Sequence, residues 1–357
     1  MKVPFKPFLI AGRVIDPSAR PFVIAELSGN HNGDLDRALA LMDAAHAAGA
    51  DAIKLQTYTA DTMTIDHDGD DFMIDAGLWA GRRLYSLYQE AATPWEWHDA
   101  LFAKAGALGI PVFSAPFDES AVDFLETLDT PAYKIASFEA TDLPLIRAVA
   151  QTGKPIIIST GMADMAEIGE AVDTARANGC KQLVLLHCVS GYPAPAEDYN
   201  LRTIPDLAER YGVPVGLSDH TLTNETAVAA VALGAVAIEK HFTLARADGG
   251  PDAAFSLEPD EFRDLVRGVH TAWDALGAVD YSQKQSEREN AVFRRSLYAV
   301  ADIAAGETLT RDNIRSIRPG YGLAPKHLDV VLGRRAWREI TRGTPLGWDL
   351  IDKDDDA

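Results

Sequence analysis

Cysteine is scarce: Cys180 and Cys188 are the only two in 357 residues. They cannot build a disulfide framework, and neither lies in a CxxC or zinc-ribbon spacing, so a reducing cytoplasm is the expected location. Long apolar runs are missing as well. Nowhere do about 18 uncharged apolar residues follow one another, and the opening Met1-Lys2-Val3-Pro4-Phe5 lacks the apolar core of a secretory signal, so no membrane role is expected. Basic residues are outnumbered, 33 Lys and Arg against 53 Asp and Glu, for a net charge of −20. Nucleic acid, which binds basic surface, is therefore a poor partner. No glycine-rich phosphate loop is present either.

What the sequence does have is alternation. Eight short β-branched runs predict strands at Pro21–Glu26, Ala52–Gln56, Pro111–Phe117, Ala132–Ser137, Pro155–Thr160, Gln182–Cys188, Val213–His220 and Val236–His241. Amphipathic stretches between and after them predict helices, several running into a glycine (Gly49, Gly109, Gly153, Gly179, Gly212, Gly234) suited to a left-handed cap. Eight β-then-α units predict an α/β fold, a (β/α)8 TIM barrel over residues 1–280. A polar linker is expected at 281–292, a small loop-rich domain at 293–351 and an acidic tail at 352–357. The long connection 57–93, rich in Asp and aromatics, follows the second strand's C-terminal end, where this fold builds active sites.

Polar residues gather at those strand ends. Glu26 closes the first run; Lys54 and Gln56 share one side of the second; Lys134 lies in the fourth, with Ser137 and Glu139 after it. Ser159, His187, Ser218 with His220, and Glu239 with His241 end the fifth to eighth. Two lysines inside a barrel need carboxylate partners or an anionic ligand. Lys54 is expected to pair with Glu26 or Glu239. With Lys134, Ser137, Ser159 and Ser218 it forms a cation and hydroxyl set suited to a phosphate or carboxylate. His220 and His241 on adjacent strands, with Glu26 across the mouth, suit a divalent metal with open positions. Mixed N/O ligation points to Mn2+, with Zn2+, Co2+ or Fe2+ also possible and Mg2+ suited less well. Asp219 should face the other way and be structural, Cys188 should be a small buried apolar group, and Trp95 and Trp97 should pack.

At these residues the chain resembles the sialic acid (nonulosonic acid) synthase family, which condenses phosphoenolpyruvate with an amino sugar. The matching motifs include Ile24-Ala25-Glu26-Leu27-Ser28-Gly29-Asn30-His31, Ala52-Ile53-Lys54-Leu55-Gln56, Tyr133-Lys134-Ile135-Ala136-Ser137, Gly216-Leu217-Ser218-Asp219-His220-Thr221 and Ile238-Glu239-Lys240-His241-Phe242-Thr243. The C-terminal segment, with Arg318-Pro319-Gly320, resembles the antifreeze-like (SAF) domain such enzymes carry. Leu27-Ser28-Gly29-Asn30-His31, Gly77-Leu78-Trp79-Ala80-Gly81 and the segment from Gly250 to Leu257 resemble the pseudaminic acid branch of the family more than the N-acetylneuraminate branch.

The resemblance implies a transferase joining phosphoenolpyruvate to 2,4-diacetamido-2,4,6-trideoxy-L-altrose. N-acetylneuraminate or legionaminic acid synthesis is the alternative within the family, and a barrel metal lyase without phosphoenolpyruvate the more distant one. It makes His220 and His241 the metal ligands, and Lys54, Lys134, Ser137, Ser159 and Ser218 the phosphoenolpyruvate contacts. Gln56, Tyr192 and Asp252 would meet the sugar, with Glu26 or Glu139 as the base toward water. Arg318 would reach the sugar from the partner subunit of a domain-exchanged homodimer. Ala115 and Ser190 stand where the family often has a hydroxyl residue and Asn, so those contacts do not carry over. Charge is split to match: residues 1–292 hold 22 basic and 43 acidic side chains, residues 293–351 hold 10 and 6. A basic domain docking on a partner's acidic barrel is the expectation.

Overall fold

Residues 8–15 form a feature the periodicity did not announce, an antiparallel hairpin of β1 (Phe8–Ile10) and β2 (Arg13–Ile15). All eight expected strands then follow in the computed structural model, which describes residues 6–352. They are β3 (Phe22–Glu26), β4 (Ala52–Thr57), β5 (Val112–Pro116), β6 (Tyr133–Ile135), β7 (Ile156–Ser159), β8 (Leu183–Cys188), β9 (Val215–Asp219) and β10 (Ala237–His241). They close a parallel barrel in chain order, β10 returning to β3 with His241 opposite Glu26. The closed barrel itself has no free edge strand.

The helices α1 (Leu35–Ala47), α2 (Ala60–Met63), α3 (Leu84–Ala91), α4 (His98–Leu108), α5 (Glu119–Thr127), α6 (Leu143–Gln151), α7 (Met165–Ala177), α8 (Thr203–Tyr211), α9 (Glu225–Ala232) and α10 (Pro259–Leu276) fill the connections. Sequence chemistry sets their ends. Asp34, Asp118 and Asp164 accept from backbone N–H groups of the first turns of α1, α5 and α7, which would otherwise lack partners. Gly109 and Gly212 end α4 and α8 in the left-handed region, where a side chain would be strained. The other four expected cap glycines also have positive φ.

Period-two alternation then decides where the site lies. Phe22, Ile24, Ala52, Phe113, Ala132, Ile157, Val184 and Ala237 form one apolar cluster inside the barrel, joined by Ile10 and Ile15 of the hairpin. Two residues further along the same strands come Glu26, Lys54, Lys134, Ser159 and Glu239, on the same side of the sheet. The barrel thus has an apolar base and a polar upper layer. Residues of opposite parity form the larger core with the helices, Ile53, Leu55, Ile135, Ile158, Leu185 and Leu217 among them.

The chain divides into compact units at residues 1–277 and 278–357. The expected linker 281–292 groups with the second unit, because Val292 accepts a backbone bond from Gly320. That unit pairs β11 (Ser296–Ala299) with β12 (Ile314–Ile317), around a core including Leu297, Ile303, Leu309, Ile314 and Ile340. Its one α-helix among the described residues is α11 (Leu328–Val331). Of the expected acidic tail, Asp352 bonds to the Arg335 carbonyl and the rest lies outside the described residues. No helix among the described residues is long and apolar enough to cross a membrane.

Candidate active site

A cavity of about 360 Å³ opens at the strands' C-terminal ends. Lys54, Gln56, Lys134, Ser137, Glu139, Ser159, Tyr192, Ser218, His220, His241 and Asp252, eleven of the thirteen expected site residues, line it. Glu26 lies just beneath, fully buried. Arg318 is exposed in the second unit, just after β12.

Charge compensation organises the floor. Lys54 pairs with both expected carboxylates, Glu26 at 3.0 Å and Glu239 at 2.9 Å. Lys134 places its ammonium 2.7 Å from both Glu239 oxygens. Glu239 therefore serves two lysines. Burial disfavours its charged form, but Lys134 and Lys54 outweigh that and hold it ionised, well below the usual carboxylate range. Burial also works against the Lys54 ammonium, and its two carboxylates more than offset it. Lys134 is left the weaker cation. Burial, only partly countered by Glu239 and reinforced by Lys54, lowers its pKa to about 8.

Several polar atoms here have no partner within the protein. The Ser159 hydroxyl and Glu139 Oε2 are buried without hydrogen bonds. Burial pushes the Glu139 carboxyl up to about 7. Glu26 instead accepts from Gln56 at 2.9 Å in addition to its ion pair with Lys54. Ser137 accepts from the Gly161 N–H, and burial raises the pKa of the Asp252 carboxyl, opposed in part by the neighbouring Ser28 and Gly29.

The two histidines meet at 5.4 Å between ring centroids. His220 Nδ1 lies 2.8 Å from the Val189 carbonyl, an arrangement that puts the proton on Nδ1 and the lone pair on Nε2. His241 Nδ1 is buried without a partner, and burial together with His220 holds its pKa well below the ordinary value. Unclaimed imidazole lone pairs of this kind fit a divalent metal with open positions. The expectation that Glu26 would complete the set needs correction: Lys54 and Gln56 engage it, and no group of three potential ligands occurs among the described residues.

Outward-facing neighbours of these groups are structural. Asp219 pairs with Lys240 at 2.7 Å, both side chains fully buried, and Lys240 also reaches the Thr223 carbonyl. His187 turns away from the cavity and bonds the Tyr199 carbonyl. Cys188 is buried, its sulfur 4.0 Å from His220 Nδ1. Trp95 stacks on Phe124 and Trp97 packs edge-on against His31. Ala115 is fully buried in β5, while the buried Ser190 hydroxyl has no partner.

The sequence reading missed the cavity's other wall. Trp79 and Phe255 enclose Tyr192, whose ring lies 4.4 Å from that of His220. The Trp79 indole donates to the Pro251 carbonyl at 2.8 Å, tying the 57–93 connection to the loop that carries Asp252. Met63, Ile74, Leu84, Leu87 and Tyr88 of that connection continue the wall. The one trace of it in the sequence is in α3, where Leu84, Leu87 and Tyr88 sit at i, i+3 and i+4, a spacing too short to stand out as a period.

A cavity with two buried lysines, their carboxylate partners and an available imidazole pair, at the C-terminal mouth of a closed (β/α)8 barrel, is the arrangement of a barrel enzyme's active site. The sequence model of the NeuB family matches residues 41–281 and that of the SAF domain residues 294–352, and the chain belongs to the NeuB family. It is 46% identical over 325 residues to the pseudaminic acid synthase of Campylobacter jejuni, covering 91% of this chain and 95% of that one. With the pseudaminic acid synthase of Helicobacter pylori it shares 43% over 335 residues, 93% and 98% of the two chains. Among solved structures, an N-acetylneuraminic acid synthetase from Leptospira borgpetersenii in complex with citrate superposes with a TM-score of 0.71 at 32% identity, covering 80% and 95%.

Proposed function

We infer that this enzyme makes pseudaminic acid, joining phosphoenolpyruvate, 2,4-diacetamido-2,4,6-trideoxy-L-altrose and water and releasing phosphate. The observation that carries the reading is one cavity combining two buried lysines, an unpartnered serine hydroxyl, an imidazole pair and an unpartnered carboxyl. It is supported by 46% identity to a pseudaminic acid synthase over nearly the whole chain.

Lys54 and Lys134, with Ser137, Ser159 and Ser218, hold the phosphate and carboxylate of phosphoenolpyruvate and orient its methylene carbon toward the sugar's C1. Arrival of the anion favours the Lys134 ammonium, which burial otherwise weakens. A divalent metal, most suitably Mn2+, bound by His220 and His241 would supply Lewis-acid polarisation of the aldehyde oxygen. Gln56, Tyr192 and Asp252 position the sugar. As the carbon–carbon bond forms, the aldehyde C=O π pair moves onto its oxygen, which takes up a proton to become the sugar hydroxyl, and C2 of the former phosphoenolpyruvate is left electron-deficient, so water adds there. Glu139 takes the water's proton: its pKa of about 7 suits transfer at neutral pH, and Oε2 has no competing partner. Glu26, tied to Lys54 and Gln56, holds the lysine and the sugar-binding amide in place. The C2–O bond then breaks and phosphate leaves.

The cytoplasm, where phosphoenolpyruvate is available and free thiols persist, is the proposed location, and a domain-exchanged homodimer the proposed assembly. The opposite charges of residues 1–292 and 293–351 support the exchange, with the partner subunit's Arg318 reaching the sugar. Phosphoenolpyruvate labelled with 18O at the bridging oxygen tests the chemistry. The label is expected in phosphate; label retained in the sugar acid contradicts it.

A further inference from the structure

The cavity's two halves differ in kind. Strand ends supply the charged and hydroxyl groups already described. The half formed by the 57–93 connection presents Met63, Ile74, Leu84 and Leu87, which have no hydrogen-bonding group, beside Tyr58, Trp79 and Tyr88. This wall is fixed rather than loose. Ile74 exchanges backbone bonds with Arg82 and Gly81, Met73 bridges Arg83, and the Trp79 indole fastens the turn between them to Pro251. Leu87 is buried and Leu84 half-buried on the adjoining face of α3.

We propose that Ile74, Leu84 and Leu87 form the specificity wall for the far end of the sugar, accepting a C6 methyl and rejecting a C6 hydroxymethyl. The inference rests on the functional reading above. C1 must lie beside the imidazole pair and the methylene carbon of phosphoenolpyruvate, both at the polar strand ends. A six-carbon chain with its first carbon there directs its last carbon to the opposite half of the cavity. A methyl group loses nothing on packing against Ile74, Leu84 and Leu87, whereas a hydroxyl there gives up its water bonds and finds no replacement from these three side chains. Apolar pockets reject an added hydroxyl only moderately, so the discrimination is about 100-fold, with 10-fold the lower bound.

The test compares kcat/KM, with Mn2+ and saturating phosphoenolpyruvate, for 2,4-diacetamido-2,4,6-trideoxy-L-altrose and for the same sugar carrying a C6 hydroxyl. The wild-type protein is expected to prefer the 6-deoxy sugar by at least about 10-fold. Leu84→Asn and Ile74→Asn, both at half-buried positions, are each expected to bring that ratio below about threefold, largely by improving the hydroxylated sugar, with the KM for phosphoenolpyruvate unchanged. Two independent variants and the wild-type ratio keep the test meaningful if one substitution impairs folding. Turnover of both sugars at rates within threefold by the wild-type protein overturns the wall assignment alone, as does an undiminished preference in both folded variants. Turnover of neither sugar overturns the functional reading and the wall with it.

Discussion

Among the described residues Glu239 is the one counter-ion of Lys134 and one of two for Lys54, so Glu239→Gln perturbs the floor of the site more than any lysine substitution. At 2.7 Å and an effective dielectric near 20, one such pair is worth about 6 kcal/mol. Losing it carries the Lys134 pKa from about 8 to well below neutrality. Breaking a buried pair from one side costs about 3–5 kcal/mol of stability. Lys134 can shed its proton, so the expected loss is near the lower end, about 3 kcal/mol, measured by urea denaturation. A neutral Lys134 also forfeits a charged contact worth about 1.5–3 kcal/mol, so the KM for phosphoenolpyruvate should rise at least about tenfold. The double variant Lys134→Met, Glu239→Gln leaves Lys54 its partner Glu26. It should recover about 2 kcal/mol of the lost stability without recovering phosphoenolpyruvate affinity. A Glu239→Gln protein within about 1 kcal/mol of wild type in stability, and within twofold in KM, would refute the shared counter-ion.

The other predictions follow from the same cavity. As a base with a pKa of about 7, Glu139 is active when deprotonated, so kcat/KM should fall as pH drops through 7. Glu139→Gln should lower kcat at least about 100-fold and remove that limb of the profile, and an unaltered limb would exclude Glu139. Lys134 is charged below its pKa of about 8, so the KM for phosphoenolpyruvate should climb above pH 8; a flat KM to pH 9.5 contradicts its role. Exhaustive chelation should abolish turnover and Mn2+ restore it, whereas His241→Ala should lose Mn2+ binding by calorimetry while keeping its fold by circular dichroism; activity surviving chelation removes the metal from the account.

Strand and helix placement was legible because it rests on local signals: β-branched runs, Asp caps and glycine ends. The change from apolar to polar residues at alternate positions, Ile24 to Glu26 or Ala52 to Lys54, also pointed to the mouth of the barrel. The outward turn of Asp219 followed from the same parity. Glu239 as common counter-ion was harder to read, since Lys54 on β4 and Lys134 on β6 reach it across the barrel rather than along the chain. The apolar wall was obscured because α3 has only eight residues within an Asp-rich connection, and its three cavity-facing side chains are too few to set a period. The β1–β2 hairpin went unrecognised for a similar reason: three-residue strands carry too little alternation.

The central claim, that the cavity condenses phosphoenolpyruvate with a diacetamido-trideoxy sugar, is tested most directly by phosphate release from the purified protein with Mn2+ and phosphoenolpyruvate. Release should require 2,4-diacetamido-2,4,6-trideoxy-L-altrose and yield one pseudaminic acid per phosphate. Release with N-acetylmannosamine but not with that sugar, or with no sugar at all, would contradict the account.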